Sequence, residues 1–420
     1  MRKSNGDKRP YLRPVTRIEL SEQNIKWRLI LLVVCLSIAA VALFTGVREL
    51  LKVEPGWQEI QISSKNPNCS SEFVLMYDFS DYGGSAVVAN RELNQIYTEA
   101  VEKTYLLFSA DVEDASVKNL HLVNRNYNKP VTVEPELYYA LEQVQTAGNR
   151  SLYLAPAYVE YKRIFHCENE VEAAGFDPAF AEELRPYLQQ IASFASNPEH
   201  IDLELLDNNQ VCLKVSDAYL EFAVEQELET LLDFGWMKNA FIADYLAQVL
   251  TEAGYTSGYL SSYDGFTRNL DSRGNDYSVN FFHRAGTEIL MPARIHYTGP
   301  QSIVFLRDFP MDELDRWRYY AYEDGRICSI LLNPETGRPA ASVSTLISLS
   351  EERSCSQLLL EMIPVFLSEE DAFMLGNALK TEGISHVWCK DGVVYYNSAT
   401  AEPKLLDTGV STGYTVKFVE

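Results

Sequence analysis

The stretch "LLDFGWMKNAFIADYLAQVL", residues 231–250, reads as the end of a strand that turns into an amphipathic helix. Asp233 and Gly235 mark the turn, and Asp244 follows in the first turns of the helix. Glycine allows a backbone to approach a ligand closely, and the beginning of a helix attracts negative charge. This pattern of aspartate and glycine residues is therefore typical of a ligand-binding corner between a strand and a helix.

Predicted helices and predicted strands flank this corner in mixed order. Apolar residues at helical spacing predict helices, and alternating runs bounded by turn residues predict strands. The predicted strands are 72–79, a short one at 130–133, 200–207, 209–215, 257–263, several within 276–306, two within 325–350 and those within 386–397 and 413–420. The predicted helices are 91–108, 135–147, 178–195, 240–253, 354–366 and 369–382. Since these do not alternate as regular βαβ units, the sequence predicts one α+β domain.

Residues 29–47, "LILLVVCLSIAAVALFTGV", are 19 uncharged and mostly apolar positions. At about 1.5 Å per residue they span roughly 28 Å, close to the thickness of a bilayer core. The preceding tail carries eight basic and three acidic residues, which places the N-terminus in the cytoplasm by the positive-inside rule. A cleaved signal peptide is the alternative, because residues 40–42 read Ala-Val-Ala.

The sequence thus favours a single-pass protein of the cell membrane. Its predicted parts are a cytoplasmic basic tail (1–28), a transmembrane anchor (29–47), a linker (48–70) and an extracytoplasmic domain (71–420). Because the tail has a surplus of five positive charges and the whole chain carries −23, the remainder carries −28. Such acidity argues against nucleic acid as a partner, since phosphates would be repelled.

Six cysteines follow the anchor, and no two of them form a C-x-x-C pair. They are Cys69, Cys167, Cys212, Cys328, Cys355 and Cys389. Their spacing does not match that of metal sites, so we expect buried free thiols.

The order of the elements is similar to that of a known family, the FAD:protein FMN transferases, over roughly residues 72–400. In the opening stretch, Asp233, Gly235 and Asp244 match the family motif Asp-Leu-Gly-Gly-(Ile/Ala)-Ala-Lys-Gly-Tyr-Ala-x-Asp without gaps. The lysine of that motif falls on Asn239. Upstream, Asn124 in "LHLVNRNYNKP" stands where the family has an asparagine.

Three further segments resemble family motifs, each with substitutions. In "GYTSGYLSSYDGF" the family's Gly-Gly-Asp falls on Tyr263, Asp264 and Gly265, and a one-residue shift that aligns Asp264 still loses both glycines. The segment "SILLNPETGRP" resembles His-Ile-x-Asp-Pro-x-Thr-Gly-x-Pro. Pro334, Thr336, Gly337 and Pro339 match, whereas Ile330 replaces the His and Asn333 replaces the Asp.

The last motif, Ala-Asp-Ala-x-x-Thr, resembles "CSQLLL", which begins at Cys355. Its Asp falls on Ser356 and its Thr on Leu360. In the family these two residues hold Mg²⁺, which prefers hard oxygen ligands such as carboxylates. Serine is a poor anionic substitute and leucine offers no oxygen, so Mg²⁺ binding is doubtful here.

The resemblance implies a flavin-transferase fold and an activity that moves FMN from FAD to a Thr or Ser hydroxyl of an acceptor protein. The cofactor-binding positions it implies are Asn124, Gly235, Asn239, Tyr263, Pro334, Thr336 and Gly337, and the candidates for a catalytic role are Asp244, Asp264 and Asn333. FAD is accordingly the candidate ligand.

The substitutions favour a degenerate transferase that serves as a flavin- or partner-binding module. The expected partner is a flavinylated redox protein or an active transferase. The first alternative is an active Mg²⁺-dependent FAD:protein FMN transferase, and the second is a structural module of the cell envelope. Plain structural interpretations also exist, because Asp244 would suit a helix dipole and Asp264 a turn before glycine.

Overall fold

The computed structural model describes residues 25–50, 56–66, 69, 71–81, 85–368 and 379–419. Most of the basic tail, part of the predicted linker and most of the helix predicted at 369–382 fall outside these ranges. The chain divides into two compact units, of which the first contains the N-terminal helix and the second contains the remaining elements.

Helix α1, Ile25–Leu50, forms the first unit. Its window Leu29–Gly46 has a mean hydropathy of 2.7, which makes it a candidate membrane span by length and composition. The hydroxyls of Ser37 and Thr45 donate to the carbonyls of Val33 and Val41 within the helix. These two hydroxyls therefore have hydrogen-bond partners within the helix, as polar groups in hydrocarbon require.

The second unit is a mixed α+β structure. Its helices are α2 Ala86–Leu107, α3 Leu120–Asn124, α4 Pro135–Thr146, α5 Ala155–Phe165, α6 Glu170–Phe176, α7 Arg185–Ser196, α8 Asp217–Glu225, α9 Lys238–Glu252, α10 Cys355–Phe366 and α11 Asp407–Ser411. Its strands are β1 Trp57–Ile60, β2 Phe73–Asp78, β3 Val131–Thr132, β4 Ile201–Leu206, β5 Gln210–Val215, β6 Gly258–Ser262, β7 Phe266–Asn269, β8 Asp276–Ala285, β9 Glu288–Thr298, β10 Gln301–Arg307, β11 Tyr319–Ala321, β12 Ile327–Ser329, β13 Thr345–Ser350, β14 Ser385–Lys390, β15 Val393–Tyr396, β16 Pro403–Leu405 and β17 Thr415–Phe418.

A nine-stranded sheet organises this unit, in the order β1-β2-β6-β7-β10-β13-β14-β15-β17. All its neighbours are antiparallel except β15 and β17. Strand β13, "TLISLS", is buried at every position, so both faces of the sheet are covered there. Ile347 and Leu349 pack with Phe281 and Ile295 of the β8–β9 hairpin, and α10 contacts β10 and β13.

Three smaller sheets complete the fold, in the orders β16-β9-β8, β3-β5-β4 and β11-β12. Helix α9 contacts α2 and α10 and crosses β6 and β7, so the corner at 231–250 lies between the helical layer and the large sheet. This layered arrangement confirms the predicted α+β class.

The longest predicted elements agree with the structure to within a few residues. The predicted helices 91–108 and 240–253 correspond to α2 and α9, and the strand predicted at 72–79 corresponds to β2. The helix predicted at 178–195 begins only at Arg185 as an α-helix. Residues 178–180 form a turn in which Asp177 accepts from the N–H of Ala179, and Glu182–Leu184 form one 3-10 turn. Helices α5, α6 and α8 were not predicted. Helices α6 and α8 are short, with seven and nine residues, whereas α5 buries Tyr158, Tyr161 and Phe165 at helical spacing, a pattern that the sequence does contain.

The cysteines beyond the anchor are unpaired, as expected. All except Cys167 are buried, and Cys167 is half-buried.

Candidate functional site

The corner at 231–250 is built around a close approach of the Gly235 backbone to the ring of Tyr158. Gly235 has φ +54°, and a β-carbon there would lie 2.6 Å from the ring of Tyr158. Its N–H donates to the Asp233 carboxylate at 3.1 Å. Glycine is needed here because Tyr158 fills the space and the backbone is left-handed. A contact between Gly235 and a cofactor stays a prediction.

Asn124 fixes the segment that precedes this corner, which is irregular between α8 and α9 and is not the strand end that the sequence predicts. Its amide oxygen accepts from the N–H groups of Leu231 and Leu232 at 3.1 and 3.0 Å, and its amide nitrogen donates to the Leu232 carbonyl at 2.8 Å. The side chain is buried. Asn124 therefore serves the backbone in this structure, and its predicted cofactor contact stays untested.

Asp244 lies at the beginning of another helix rather than in an open pocket. Its two carboxylate oxygens accept from the backbone N–H groups of Cys355 and Ser356, each at 2.8 Å. Arg268 approaches the same carboxylate at 3.5 Å. A carboxylate at a helix N-terminus satisfies donors that the helix itself leaves unpaired. Asp244 thus joins α9 to α10.

The positions at which the family would bind a metal are part of the protein core. Ser356 is fully buried, and its hydroxyl donates to Gln143 at 2.7 Å and contacts the Ser354 hydroxyl at 2.9 Å. Leu360 is 6% exposed. Burial raises the pKa of the Cys355 thiol, which donates to the Thr267 carbonyl.

These residues do not fit Mg²⁺. A magnesium site needs several oxygen ligands, of which one or two are usually carboxylates. The one carboxylate here, Asp244, is held by two N–H groups and Arg268, and Leu360 has no donor atom. Among the described residues no group of three His, Cys, Asp or Glu side chains could hold a metal ion.

Asp264 and Asn239 are brought together at the other end of the corner. The Asn239 amide nitrogen donates to Asp264 at 3.0 Å and to Glu72 at 2.6 Å. Arg318 pairs with Asp264 at 2.9 Å and with Glu72 at 3.3 Å, and Lys238 lies 3.7 Å from Glu72. We call these five residues the Asp264 cluster.

The charges in the Asp264 cluster influence one another. Burial alone would raise the pKa of Glu72, but Lys238 and the Asn239 amide outweigh it, so this pKa lies below its usual value. Burial lowers the pKa of the Arg318 guanidinium, and the negative charge of Glu72 partly offsets this decrease. Within the described structure, one oxygen of Asp264 and the amide oxygen of Asn239 are buried without a hydrogen-bond partner. These two acceptors could bind the N–H or O–H groups of a ligand.

Tyr263, beside Asp264 in the chain, opens onto a separate cavity. Its side chain is 47% exposed, and a cavity of about 370 Å³ extends from it between the sheet and the β8–β9 hairpin. The aromatic residues that line this cavity are Tyr259, Tyr263, Tyr277, Phe282, Tyr297 and Phe305. We call this space the tyrosine cavity. A β-carbon at Gly265 would lie 2.4 Å from the Phe305 carbonyl, so glycine is required at its edge.

Asn333–Gly337 form a tight turn that does not line the tyrosine cavity. The Asn333 amide oxygen accepts from the N–H groups of Glu335 and Thr336, and the Gly337 N–H donates to the Asn333 carbonyl at 2.8 Å. Gly337 has φ +65° and abuts Ala192 of α7. Asparagine, proline and glycine are the residues that tight turns of this kind favour. Catalytic or cofactor roles for Asn333, Pro334, Thr336 and Gly337 stay predictions.

Sequence reasoning did not single out Glu72, Gln143, Arg268 or Arg318 as site residues. Each reaches the site from a segment distant in the chain, with Glu72 separated from Asn239 by 167 positions. Arg318 occurs in the aromatic run "RWRYYAY", which indicates a strand but not an ion pair with Asp264.

Comparison with known proteins supports the architecture. No family model and no curated protein matches the sequence. Among solved structures, the ApbE protein from Thermotoga maritima matches with a TM-score of 0.55 and 13% identity, over 84% of this chain and 98% of that one. The flavin transferase ApbE from Vibrio cholerae matches with a TM-score of 0.50 and 12% identity, over 84% and 99%. A single-substitution variant of it gives 0.51 and 13% over the same shares. Since these matches extend over nearly the whole of each solved structure, the second unit of this chain has the α+β fold of the ApbE flavin transferases.

Proposed function

We propose that this protein is a membrane-anchored, extracytoplasmic flavin-transferase-fold protein that binds a flavin and a protein partner without transferring FMN. The observation that carries this proposal is the structural use of Asp244, Ser356 and Leu360. Asp244 joins α9 to α10, Ser356 is fully buried at the beginning of α10, and Leu360 is buried on the same helix. They are thereby withdrawn from ligand binding.

Transfer of a phosphate-linked group needs preorganised charge at the oxygens that become negative. The Asp244 carboxylate is a poor ligand for a cation there, because it accepts two backbone hydrogen bonds and pairs with Arg268. Releasing it would leave the first N–H groups of α10 unpaired in a buried position. The contact between α9 and α10 therefore opposes FMN transfer at the position of Asp244.

The tyrosine cavity supports the binding of a flavin. Its aromatic walls suit a flat ring system, because aromatic rings stack favourably at offset or edge geometry. Polar groups of Ser261, Thr267, Ser278 and Asn280 line the same space and could bind the ring's polar edge. Its volume of about 370 Å³ lies at the lower end of small-molecule pockets.

A transfer assay tests the absence of activity. The full-length chain in detergent would be incubated with FAD, Mg²⁺ and an acceptor protein, and the acceptor would be examined by mass spectrometry. We expect no FMN adduct. An adduct on an acceptor Ser or Thr would overturn this part of the proposal and favour the active transferase.

A binding assay tests the flavin site independently. Quenching of FMN fluorescence should saturate with the wild-type chain, and Tyr263→Ala should weaken binding by about fivefold, as expected for one lost aromatic contact. Tyr139→Ala is a matched control, since Tyr139 is 57% exposed on α4 and does not line the cavity. If Tyr263→Ala bound FMN as tightly as Tyr139→Ala, or if no variant bound it, the tyrosine cavity would not be the flavin site.

A further inference from the structure

One face of the large sheet forms the floor of the tyrosine cavity. Side chains alternate between the two faces of a strand, and the lining residues follow this alternation in β6, β7 and β10. They are Tyr259, Ser261, Tyr263, Thr267, Ile303, Phe305 and Arg307. Arg268 belongs to the opposite face, where it reaches Asp244 of α9 at 3.5 Å. The sheet therefore separates the tyrosine cavity from the contact between α9 and α10.

Arg307 is the one charged residue among the described residues that line this cavity. Its side chain is 3% exposed, and one of its terminal nitrogens lies 2.8 Å from each carboxylate oxygen of Asp315. The same nitrogen donates to the Tyr263 carbonyl at 3.1 Å. Its Nε has no hydrogen-bond partner in the described structure, but it is buried as well. The positive charge of Arg307 is thus compensated within the protein.

The net charge of the protein opposes a phosphate group at this cavity. The chain carries −23 in all, and a phosphate monoester carries about two negative charges at neutral pH. Phosphate sites overcome such repulsion with guanidinium or ammonium groups that bind the phosphate oxygens directly. The described lining of the tyrosine cavity offers only the compensated Arg307 for this purpose. Its charge therefore does not favour phosphate.

The aromatic rings of the cavity provide contacts that do not depend on charge. Tyr277 and Tyr297 stack with their ring centres 5.6 Å apart. Tyr259 lies 6.2 Å from Tyr277, edge to face. Trp57 extends this group toward solvent, because it is 41% exposed and its ring lies 5.9 Å from that of Tyr259. Surfaces of this kind bind flat rings through stacking and burial of apolar area.

We propose that the tyrosine cavity recognises only the ring system of a flavin and leaves the phosphate in solvent, at a mouth formed by Tyr263 and Ser278. This inference rests on the flavin binding proposed above and specifies which flavins bind. Both residues line the cavity, and both are exposed. Since a volume of about 370 Å³ is small for a ligand pocket, the ribityl chain and the phosphate extend beyond it.

This mode of recognition defines the class of ligand. Riboflavin and FMN share the ring system, so both bind. An FMN whose phosphate is esterified to a Ser or Thr of a partner protein binds as well, because the ester bond lies outside the cavity. The tyrosine cavity thereby accommodates the flavin of a flavinylated partner while the bond between flavin and partner stays intact.

Fluorescence titration of the full-length chain in detergent with riboflavin and with FMN tests this proposal. The two should bind equally, within about twofold, at high salt, and riboflavin should bind more tightly at low salt, where repulsion of the phosphate is less screened. Binding of FMN about tenfold more tightly than riboflavin would reveal a charge-assisted phosphate contact and overturn this inference, while flavin binding itself would stand. If neither ligand bound, the proposed flavin binding would fail, and this inference with it.

Ser278→Arg tests where the phosphate lies. A guanidinium at the mouth should make FMN bind about fivefold more tightly than riboflavin, and this preference should decline at high salt. Because both ligands are measured on the same variant, any change in the ring contacts cancels in the ratio of the two dissociation constants. Ser278→Gln is the uncharged control, for which the ratio should stay near that of the wild type. An unchanged ratio in Ser278→Arg would overturn the proposed orientation of the flavin.

Discussion

Ser356 shows how strongly the surroundings of one residue decide what can be restored there. Replacing it with the Asp of the resembling family would place a second carboxylate beside Asp244 in a fully buried position. An uncompensated buried charge costs about 3–5 kcal/mol. We therefore expect Ser356→Asp to lower the free energy of unfolding by about 3 kcal/mol or more, without creating a metal site.

Urea denaturation of the wild type and the variant measures this difference. Ser356→Ala is the matched control, because it loses only the hydrogen bonds to Gln143 and Ser354, at about 1 kcal/mol. If Ser356→Asp were as stable as Ser356→Ala and bound Mg²⁺, the site would be more open than the structure indicates.

His386 predicts how stability depends on pH. It is buried on β14, with its Nδ1 2.6 Å from the Ser348 hydroxyl, and burial lowers its pKa from 6.5 to about 4. Between these values the unfolded chain binds a proton that the folded chain does not. We expect stability to fall by about 3 kcal/mol as pH drops from 6.5 to 4, because one pKa unit corresponds to about 1.36 kcal/mol.

Urea midpoints at several pH values, compared between wild type and His386→Gln, isolate this contribution. The variant lacks the titrating group, so the wild type should lose more stability than the variant in that window. Parallel pH profiles would show that His386 becomes protonated in the folded state.

At the scale of elements, the contact between α9 and α10 depends on one side chain. Asp244→Asn keeps the shape but leaves only one acceptor for two N–H groups and removes the pairing with Arg268. Capping and helix-dipole effects of this kind are worth about 1–2 kcal/mol. We expect a loss of stability of that size by chemical denaturation.

Asp217→Asn provides the matched control for this element. Asp217 is exposed in the first turn of α8, where Ser216 already caps the helix. Its substitution should cost less than about 0.5 kcal/mol. Equal losses in the two variants would indicate a general charge effect instead of a specific junction.

The sequence predicted helices correctly where the periodic pattern of apolar residues was long and only one face of the helix was buried. Helix α2 buries Leu93, Tyr97, Ala100 and Val101 at helical spacing, which the sequence displays directly. Helices α5 and α6 follow each other after one short connection and contact each other, and α5 also contacts α7. Such contacts leave little trace in a single sequence.

At the scale of the whole molecule, the membrane topology remains to be tested. We expect the domain that follows helix α1 to lie outside the cytoplasm and the basic tail to lie inside. Protease added to intact cells should digest a C-terminal tag and spare an N-terminal one. Protection of the C-terminal tag would reverse the orientation, and loss of residues 1–42 from the mature chain would identify a cleaved signal peptide.

The sequence alone determined the α+β class, the candidate membrane span and the likeness to flavin transferases. These depend on local patterns and on motif order, which a linear chain records. Only the tertiary structure decided what the motif residues do. Asp244 caps α10, Asn124 binds backbone, and Ser356 is buried against Gln143, which lies 213 positions away. A residue's hydrogen-bond partners and exposure are set by segments distant in the chain, so the same letter can mark either a ligand site or a core contact.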